Sequence, residues 1–357
     1  MKIATRQICF ILLIYTAVSK LLIYPTTLVN ISGRDFLFSA AIDFAICAVV
    51  VWSVAFLCSK TDKTFFELLE NTFGNVVARI IYGVFALFFM LCTLYAIFEQ
   101  KLYVHAIFYD TVPSLMVFLP FFVFAVYAGS KGFSNIGRSA DICLPVFIVS
   151  FLMIIVMAFP EADFTHLLPI LKTPAKKVLG GSLNTFFWFM EPCWLLMFMG
   201  HFKYKKGDAA KLTASYVGGS AIVLLFLALF YGIYGDIAVS RNFAISKISV
   251  FFSAIDIIGR IDLIALYVLE IVMLFALVLN IQLAVHCVNK CTGYNNKNVI
   301  SLAVNAVLLI LLVVFDHYFN AISDVYSRWM WIVFVLFAII IPLLAWVLRR
   351  RERHEAR

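Results

Sequence analysis

The sequence predicts an all-α membrane protein with ten transmembrane helices in two inverted sets of five, in which helices 1 and 6 are broken. Of its 357 residues, 64% are hydrophobic and only 13% are charged, which is too little charge for a soluble domain of this size. Apolar runs long enough to cross a bilayer recur along the chain, so a single integral membrane domain is expected over residues 1–357. Two of these runs contain both a proline and an ionisable residue near the middle of the run.

A window of about twenty apolar residues, the thickness of a bilayer, divides the chain into ten spans. They run roughly over 8–29, 36–59, 76–98, 114–130, 141–159, 182–200, 214–235, 261–286, 299–315 and 328–348. Placing the amino terminus inside gives the inner segments about twice as many Lys and Arg residues as the outer loops, as the positive-inside rule requires. Both termini are therefore predicted to be cytoplasmic.

Charge and cysteine usage argue against several function classes. The net charge of +8 lies mainly in alternate loops, so it indicates membrane orientation rather than a nucleic-acid partner. The eight cysteines are scattered, mostly inside apolar spans, and none belongs to a metal-binding pattern. No nucleophile elbow, phosphate loop or zinc-protease motif is present in the sequence. We therefore expect no metal, no cofactor and no enzymatic activity.

The two interrupted spans are the predicted ligand site. A carboxylate in hydrocarbon is costly and proline removes a helix hydrogen bond, so Glu191-Pro192 in the sixth span predicts a broken helix whose freed groups face a polar cavity. Tyr24-Pro25, just after Lys20, predicts a second break in the first span. A break at the start of each half is the layout of inverted-repeat, LeuT-like transporters, which bind substrate where the breaks meet. The predicted ligand-binding residues are Ser19, Lys20, Tyr24, Pro25, Glu191, Pro192 and Glu270.

Lys20 has several possible roles. It lies about 18 Å along the first helix, and its long side chain is able either to snorkel to an interface or to pair with an acid in the centre. Glu191 and Glu270 are the candidate acids, and Glu270, in the eighth span, is the proposed charge partner. Such a lysine would replace a coupled sodium ion, carry a proton, or form a purely structural ion pair.

Other polar residues in the spans are less specific. Asp43 lies close to the predicted outer end of its span, where water would solvate it. Asn280 and Gln282 are expected to form interhelical hydrogen bonds. Three residues at the outer end of the third span are expected to line an access path, or in the case of the two tyrosines to belong to an interfacial aromatic belt: Tyr95, Glu99 and Tyr103.

The fourth and fifth spans contain a recognisable order of residues. Thr111-Val112-Pro113 is followed by Tyr127, Gly129, Gly132, Gly137-Arg138, Asp141 and Pro145, with Gln7 before the first span and Leu168-Pro169-Ile170 before the sixth. This order resembles the GerAB spore-germination family of the amino acid–polyamine–organocation (APC) superfamily, and the likeness extends over essentially the whole chain.

The resemblance implies a function that composition and spacing do not supply. It implies a germinant-receptor B subunit, in the inner membrane of an endospore or the cell membrane. Such a subunit binds a small nutrient, typically an amino acid, and works with an A-type subunit and a lipoprotein C-type subunit. The alternatives are a proton-coupled amino acid permease and a channel-forming subunit.

The chain also departs from the pattern of that family. Relatives carry a glycine near the middle of the first span, whereas this sequence reads Ala17-Val18-Ser19-Lys20. The departure suggests that Lys20 itself binds an anionic group of the ligand.

Overall fold

A computed structural model describes residues 3–60, 62–108, 111–250, 261–341, 343, 344 and 347. Of the predicted tenth span, residues 342, 345, 346 and 348 lie outside the described residues. The α-helices in chain order are α1 (Thr5–Val18), α2 (Tyr24–Ser32), α3 (Phe36–Cys58), α4 (Phe65–Phe73), α5 (Asn75–Phe108), α6 (Ser114–Gly129), α7 (Phe133–Ala158), α8 (Ala175–Thr185), α9 (Glu191–Met197), α10 (Asp208–Tyr234), α11 (Ala244–Ser249), α12 (Ile261–Thr292), α13 (Lys297–Val314) and α14 (Phe319–Phe334).

The first span is broken, as the sequence predicts. α1 ends at Val18 and α2 begins at Tyr24, with Pro25 in the first turn of α2. N–H groups in the first turn of a helix have no acceptor within the helix, so the N–H that proline lacks costs no hydrogen bond there. The backbone between the two halves needs partners away from water. The carbonyls of Leu21 and Leu22 accept hydrogen bonds from the first N–H groups of α11, at 3.2 and 3.1 Å. The short helix α11 therefore stabilises the break.

The sixth span is also broken, but the break precedes Glu191 rather than coinciding with it. α8 ends at Thr185, one 3₁₀ turn covers Phe186–Trp188, and α9 begins at Glu191 with Pro192 in its first turn. The proline thus starts the second half-helix and does not interrupt a helix already formed. Every residue of α9 is buried, so this half-helix lies in the centre of the bundle.

Small residues allow the half-helices to pack closely. α2 packs against α8, and a Cβ atom at Gly181 would overlap the hydroxyl of Ser32. α1 packs against α10, and a Cβ atom at Gly219 would lie 3.0 Å from the carbonyl of Leu13. Glycine at these two positions sets the distance between the broken helices and their neighbours.

Helix ends collect at two faces of the bundle. At the face that contains the amino terminus, Thr5 donates to Asp208 at 2.7 Å and Gln7 donates to Asp141 at 2.7 Å. Three residues of the order that resembles the GerAB family meet here: Gln7, Gly137 and Asp141. A Cβ atom at Gly137 would lie 2.9 Å from the amide oxygen of Gln7. This part of the pattern serves packing between α1 and α7.

The connection 159–181 lies at the opposite face. Asp35 accepts hydrogen bonds from the backbone N–H groups of Leu171 and Thr173, at 2.7 and 2.6 Å. The hydroxyl and N–H of Thr165 hold the pKa of the exposed Asp163 carboxyl below its usual value. Lys101 pairs with Asp316 at this same face. Loops that were predicted to lie on the same side of the membrane thus lie at the same face of the bundle. The assignment of the amino-terminal face to the cytoplasm stays a prediction.

Six helical stretches of the described chain are long and apolar enough to cross a membrane. They are Tyr24–Cys58, Asn75–Phe108, Phe133–Glu161, Asp208–Ser240, Leu263–Thr292 and Lys297–Val314. Two shorter apolar helices, α1 and α6, add to these. The half-helices of the broken spans are individually too short to cross a bilayer, so the total of ten spans stays a prediction.

Candidate functional site

A narrow cavity lies where the two breaks face α5 and α12. Its volume is about 50 Å³, enough for a few water molecules. The polar groups that line it include those of Tyr15, Ser19, Glu99, Gln100 and Asn280. A ligand much larger than these waters therefore requires side chains to move.

Helical periodicity explains how α5 and α12 reach this cavity. Residues four apart share one face of a helix, and on α5 this spacing relates Tyr95 to Glu99. On α12, Ala276 and Asn280 line the cavity with the same spacing. Asn280 accepts a hydrogen bond of 3.1 Å from the hydroxyl of Tyr15 on α1, which confirms its predicted interhelical role.

Aromatic rings form the wall of the cavity on the side of α14. Tyr95 is stacked on Tyr326, with ring centroids 4.9 Å apart. It also meets the edges of Trp188 at 5.7 Å and Phe187 at 5.0 Å. The wall therefore combines residues from α5, α14 and the 3₁₀ turn of the sixth span.

Lys20 and Glu191 form a buried ion pair behind the cavity. The Lys20 ammonium lies 2.6 Å from Oε1 of Glu191, and neither side chain is exposed. It also donates to the Ser19 hydroxyl at 3.2 Å and to the Thr16 carbonyl at 3.4 Å. The ring of Phe189 lies 4.5 Å from the ammonium. The pair joins the first break to the second, and the lysine does not snorkel to an interface.

Glu270 is not the partner of Lys20, so the pairing proposed from the sequence is wrong. Lys20 is already bound by Glu191. Glu270 is buried on α12, and neither of its carboxyl oxygens has a hydrogen-bond partner among the described residues. Asn280, which lines the cavity, is ten residues away, or about 15 Å along the helix. Glu191 and Glu270 both lie near the middle of their predicted spans, so position along a span did not distinguish which of them faces the first break.

Asp43 lies in the same buried region as Lys20. It accepts hydrogen bonds from the hydroxyls of Ser182 and Thr185 on α8, the latter at 3.2 Å. The side chain is fully buried, so the expectation that water solvates it is wrong. The sequence did not identify Ser182 and Thr185 as its partners, because the packing of α3 against α8 decides which residues of two different spans meet.

The remaining predicted residues shape the breaks. Tyr24 packs edge-on against Trp188 at 5.4 Å and against Phe189 at 6.0 Å, so it connects the two breaks through aromatic contact. Pro25 and Pro192 begin the second half of each broken helix. Of the seven predicted ligand-binding residues, Ser19 alone is among those that line the cavity in the described structure.

Several residues that line the cavity were not predicted as ligand-binding. Tyr95 and Glu99 were expected along an access path, and both line the cavity, whereas Tyr103 lies further along α5, with its ring 5.7 Å from that of Phe243. Trp188 and Tyr326 resemble ordinary membrane aromatics in the sequence. The four-residue spacing of Tyr95 and Glu99, which places them on one face of α5, was the sequence signal that could have identified them as lining residues.

The described residues contain no group of three or more His, Cys, Asp or Glu side chains arranged to hold a metal ion. The side chains that line the cavity are hydrogen-bonding, aromatic and apolar groups.

Comparison with known proteins gives a family and a fold. The family described as "Spore germination protein" matches residues 2–320. The search of curated proteins gave no match. Among solved structures, MhsT in complex with L-phenylalanine is similar with a TM-score of 0.64 at 10% identity, and 98% of each chain is covered.

Two structures of mutant forms of a manganese transporter from Eremococcus coleocola are also similar. Their TM-scores are 0.55 and 0.54 at 13% identity, with 96% of this chain and 85% of each of those chains covered. At such identities the likeness is one of fold. It confirms the predicted all-α, LeuT-like membrane fold with two broken helices.

Proposed function

Because the chain belongs to the spore germination protein family, we propose that it is a germinant-receptor B subunit that binds a small nutrient, such as an amino acid, and triggers germination. The observation that carries this proposal is the cavity between the two helix breaks, lined by polar groups of α1, α5 and α12. In a LeuT-like fold, substrate binds where discontinuous helices meet. The family and the fold are those of permeases rather than of enzymes.

The proposed signal is a shift between two arrangements of the bundle. A ligand favours whichever arrangement it binds more tightly. The cavity holds only about 50 Å³, so we propose that nutrient binding stabilises a wider arrangement. An A-type subunit and a lipoprotein C-type subunit would detect this change in the inner membrane of the spore.

Nutrient-triggered germination of spores that lack this gene tests the proposal. We expect loss of the response to one nutrient, measured as release of core solutes, and its recovery when the gene is restored. Deletion of other receptor genes from the same strain removes redundancy. If a strain in which this is the sole B subunit still germinates equally well without it, the receptor function is wrong.

The alternative is a proton-coupled amino acid permease. The buried Lys20–Glu191 pair favours it, because ionisable side chains paired inside the membrane-spanning part of a transporter, as these two are, commonly serve as proton relays. Uptake of labelled amino acids by vesicles containing the chain alone separates the two. Accumulation that depends on a proton gradient would favour the permease, and binding without accumulation would favour the receptor.

A further inference from the structure

We propose that Glu99 recognises a cationic amino group of the ligand, so that the site selects small amines and amino acids over ligands that carry only a carboxylate. This inference rests on the proposed function and names the chemical class of the nutrient. It differs from the expectation drawn from the sequence, in which Lys20 binds an anionic group.

The charges around the cavity favour a cation. Glu99 is the only Asp or Glu among the lining residues, and no Lys, Arg or His lines the cavity in the described structure. Two lysines lie close by in the structure or the chain, and each already has an acidic partner: Lys20 is fully buried against Glu191, and Lys101 pairs with Asp316. An anionic ligand would therefore face a carboxyl group without a compensating cation, which is unfavourable in a site shielded from water.

Glu99 has unused hydrogen-bonding capacity. Its side chain is only 5% exposed, and Oε1 has no hydrogen-bond partner among the described residues. The indole N–H of Trp188 is directed at this carboxyl group but does not satisfy Oε1. A buried carboxyl oxygen without a partner is costly, and an ammonium group, which has donors only, would satisfy it.

The neighbouring rings strengthen the same preference. Tyr95 lies one helical turn before Glu99, and its ring is 5.7 Å from that of Trp188 and 4.9 Å from that of Tyr326. Aromatic faces attract ammonium groups, most strongly where water is excluded. The Glu99 carboxyl group and these aromatic rings together form a site for an ammonium group on a small apolar ligand.

Other groups fit a zwitterion as well as a simple amine. Ser19 accepts its hydrogen bond from Lys20, so its own hydroxyl hydrogen is available to a ligand oxygen. A carboxylate on the ligand is therefore accommodated but is not the group that the site requires. The ammonium is the required group.

Binding of matched probes to the full-length protein in lipid nanodiscs tests this assignment. The probes are ethylamine, L-alanine and propionate, which carry an ammonium group, both groups and a carboxylate, respectively. We expect ethylamine and L-alanine to bind and to raise the unfolding temperature, and propionate to do neither. Charge-assisted hydrogen bonds contribute about 1.5–3 kcal/mol, so Glu99→Gln is expected to weaken binding of both amines by about 10- to 100-fold.

Glu270→Gln is the matched control, since it removes the same charge from a buried glutamate that does not line the cavity. It should leave the affinity for both amines unchanged. Glu99→Asp, which retains the charge, should keep the preference for amines even if Glu99→Gln folds poorly. Equal binding of amines by wild type and Glu99→Gln, tighter binding of propionate, or no binding of either amine would overturn the assignment.

These outcomes are separate from those of the proposed function. If the gene proves necessary for germination by a nutrient without an amino group, the receptor function stands and the role of Glu99 is wrong. If amines bind through Glu99 but no nutrient response depends on the gene, the site is correct and the receptor function is wrong.

Discussion

At the scale of single residues, the central feature is that the two conspicuous charges of the sequence neutralise each other. Lys20 and Glu191 are fully buried and 2.6 Å apart. The cost of removing both charges from water is offset only by close pairing and further hydrogen bonds. Lys20 has these in Ser19 and Thr16, whereas Oε2 of Glu191 has no partner among the described residues. The pair is therefore sensitive to loss of either member.

Lys20→Met alone is expected to lower the free energy of unfolding by about 3–5 kcal/mol, because it leaves Glu191 buried without a counterion. Glu191→Gln alone should have a similar effect through Lys20. The double variant Lys20→Met/Glu191→Gln should recover most of the loss, since it removes both charges of the pair and leaves neither without its counterion. Denaturant titration of the four proteins in detergent measures this coupling.

The double variant also separates structural from ligand-binding roles of Lys20. If the pair only joins the two breaks, spores carrying the double variant should respond to nutrient nearly normally. A folded double variant that gives no response would show that Lys20 acts on the ligand or on the signal. Additive losses of stability in the double variant would contradict the pairing itself.

The sequence identified the two breaks but not which side chains face the cavity. Proline and buried charge in the middle of apolar runs have strong local consequences, so a break in each of the two spans was predictable. The predicted positions were Tyr24-Pro25 and Glu191-Pro192, whereas the structure breaks each helix just before them, at residues 19–23 and 186–190. The direction of a side chain depends on tertiary packing. Lys20 and Ser19 are neighbours in the chain, yet Ser19 lines the cavity and Lys20 points towards Glu191. The partner of Lys20 was one of two candidates, and the proposed one was wrong.

At the scale of helices, the two half-helices α2 and α8, at the face opposite the amino terminus, depend on close contact. Gly181 on α8 lies against Ser32 on α2, and Ser32 also accepts a hydrogen bond of 2.8 Å from Ser39 on α3. A side chain at Gly181 would displace the Ser32 hydroxyl and separate the two half-helices. At Gly180, the preceding residue, an added Cβ atom would have no neighbouring atom within 4 Å.

This contrast predicts opposite effects of two adjacent substitutions. Gly181→Ala should destabilise the protein by about 1–3 kcal/mol through overpacking. Gly180→Ala should be neutral or stabilise by up to about 1 kcal/mol, because alanine favours the helix. Thermal unfolding of both variants provides the comparison. Equal effects would show that α2 and α8 are not held as closely as the structure indicates.

At the scale of the whole molecule, the fold was predictable because the bilayer restricts what a chain is able to form. Apolar runs must become helices, since every backbone group needs a partner inside the chain. The comparisons confirm the resulting LeuT-like fold. The cavity was less predictable because it combines α1, α5, α12, α14 and the 3₁₀ turn Phe186–Trp188. Only tertiary structure brings such distant segments together.

In the proposed receptor, the cavity between the broken helices is the place where nutrient is detected. The most direct test fills it. Ala96 lines the cavity, and Ala96→Phe would occupy space that a nutrient requires. Ala41→Phe is the control, because Ala41 is exposed on α3 and its replacement should leave the cavity unchanged.

The decisive measurement is the nutrient dose–response of germination in spores that carry each variant as the sole B subunit. With both proteins present in the spore membrane at normal levels, Ala96→Phe should raise the half-maximal nutrient concentration at least about tenfold, corresponding to a loss of about 1.4 kcal/mol of binding free energy. Ala41→Phe should respond like wild type. An unchanged dose–response for Ala96→Phe would contradict the claim that nutrient binds between the two broken helices.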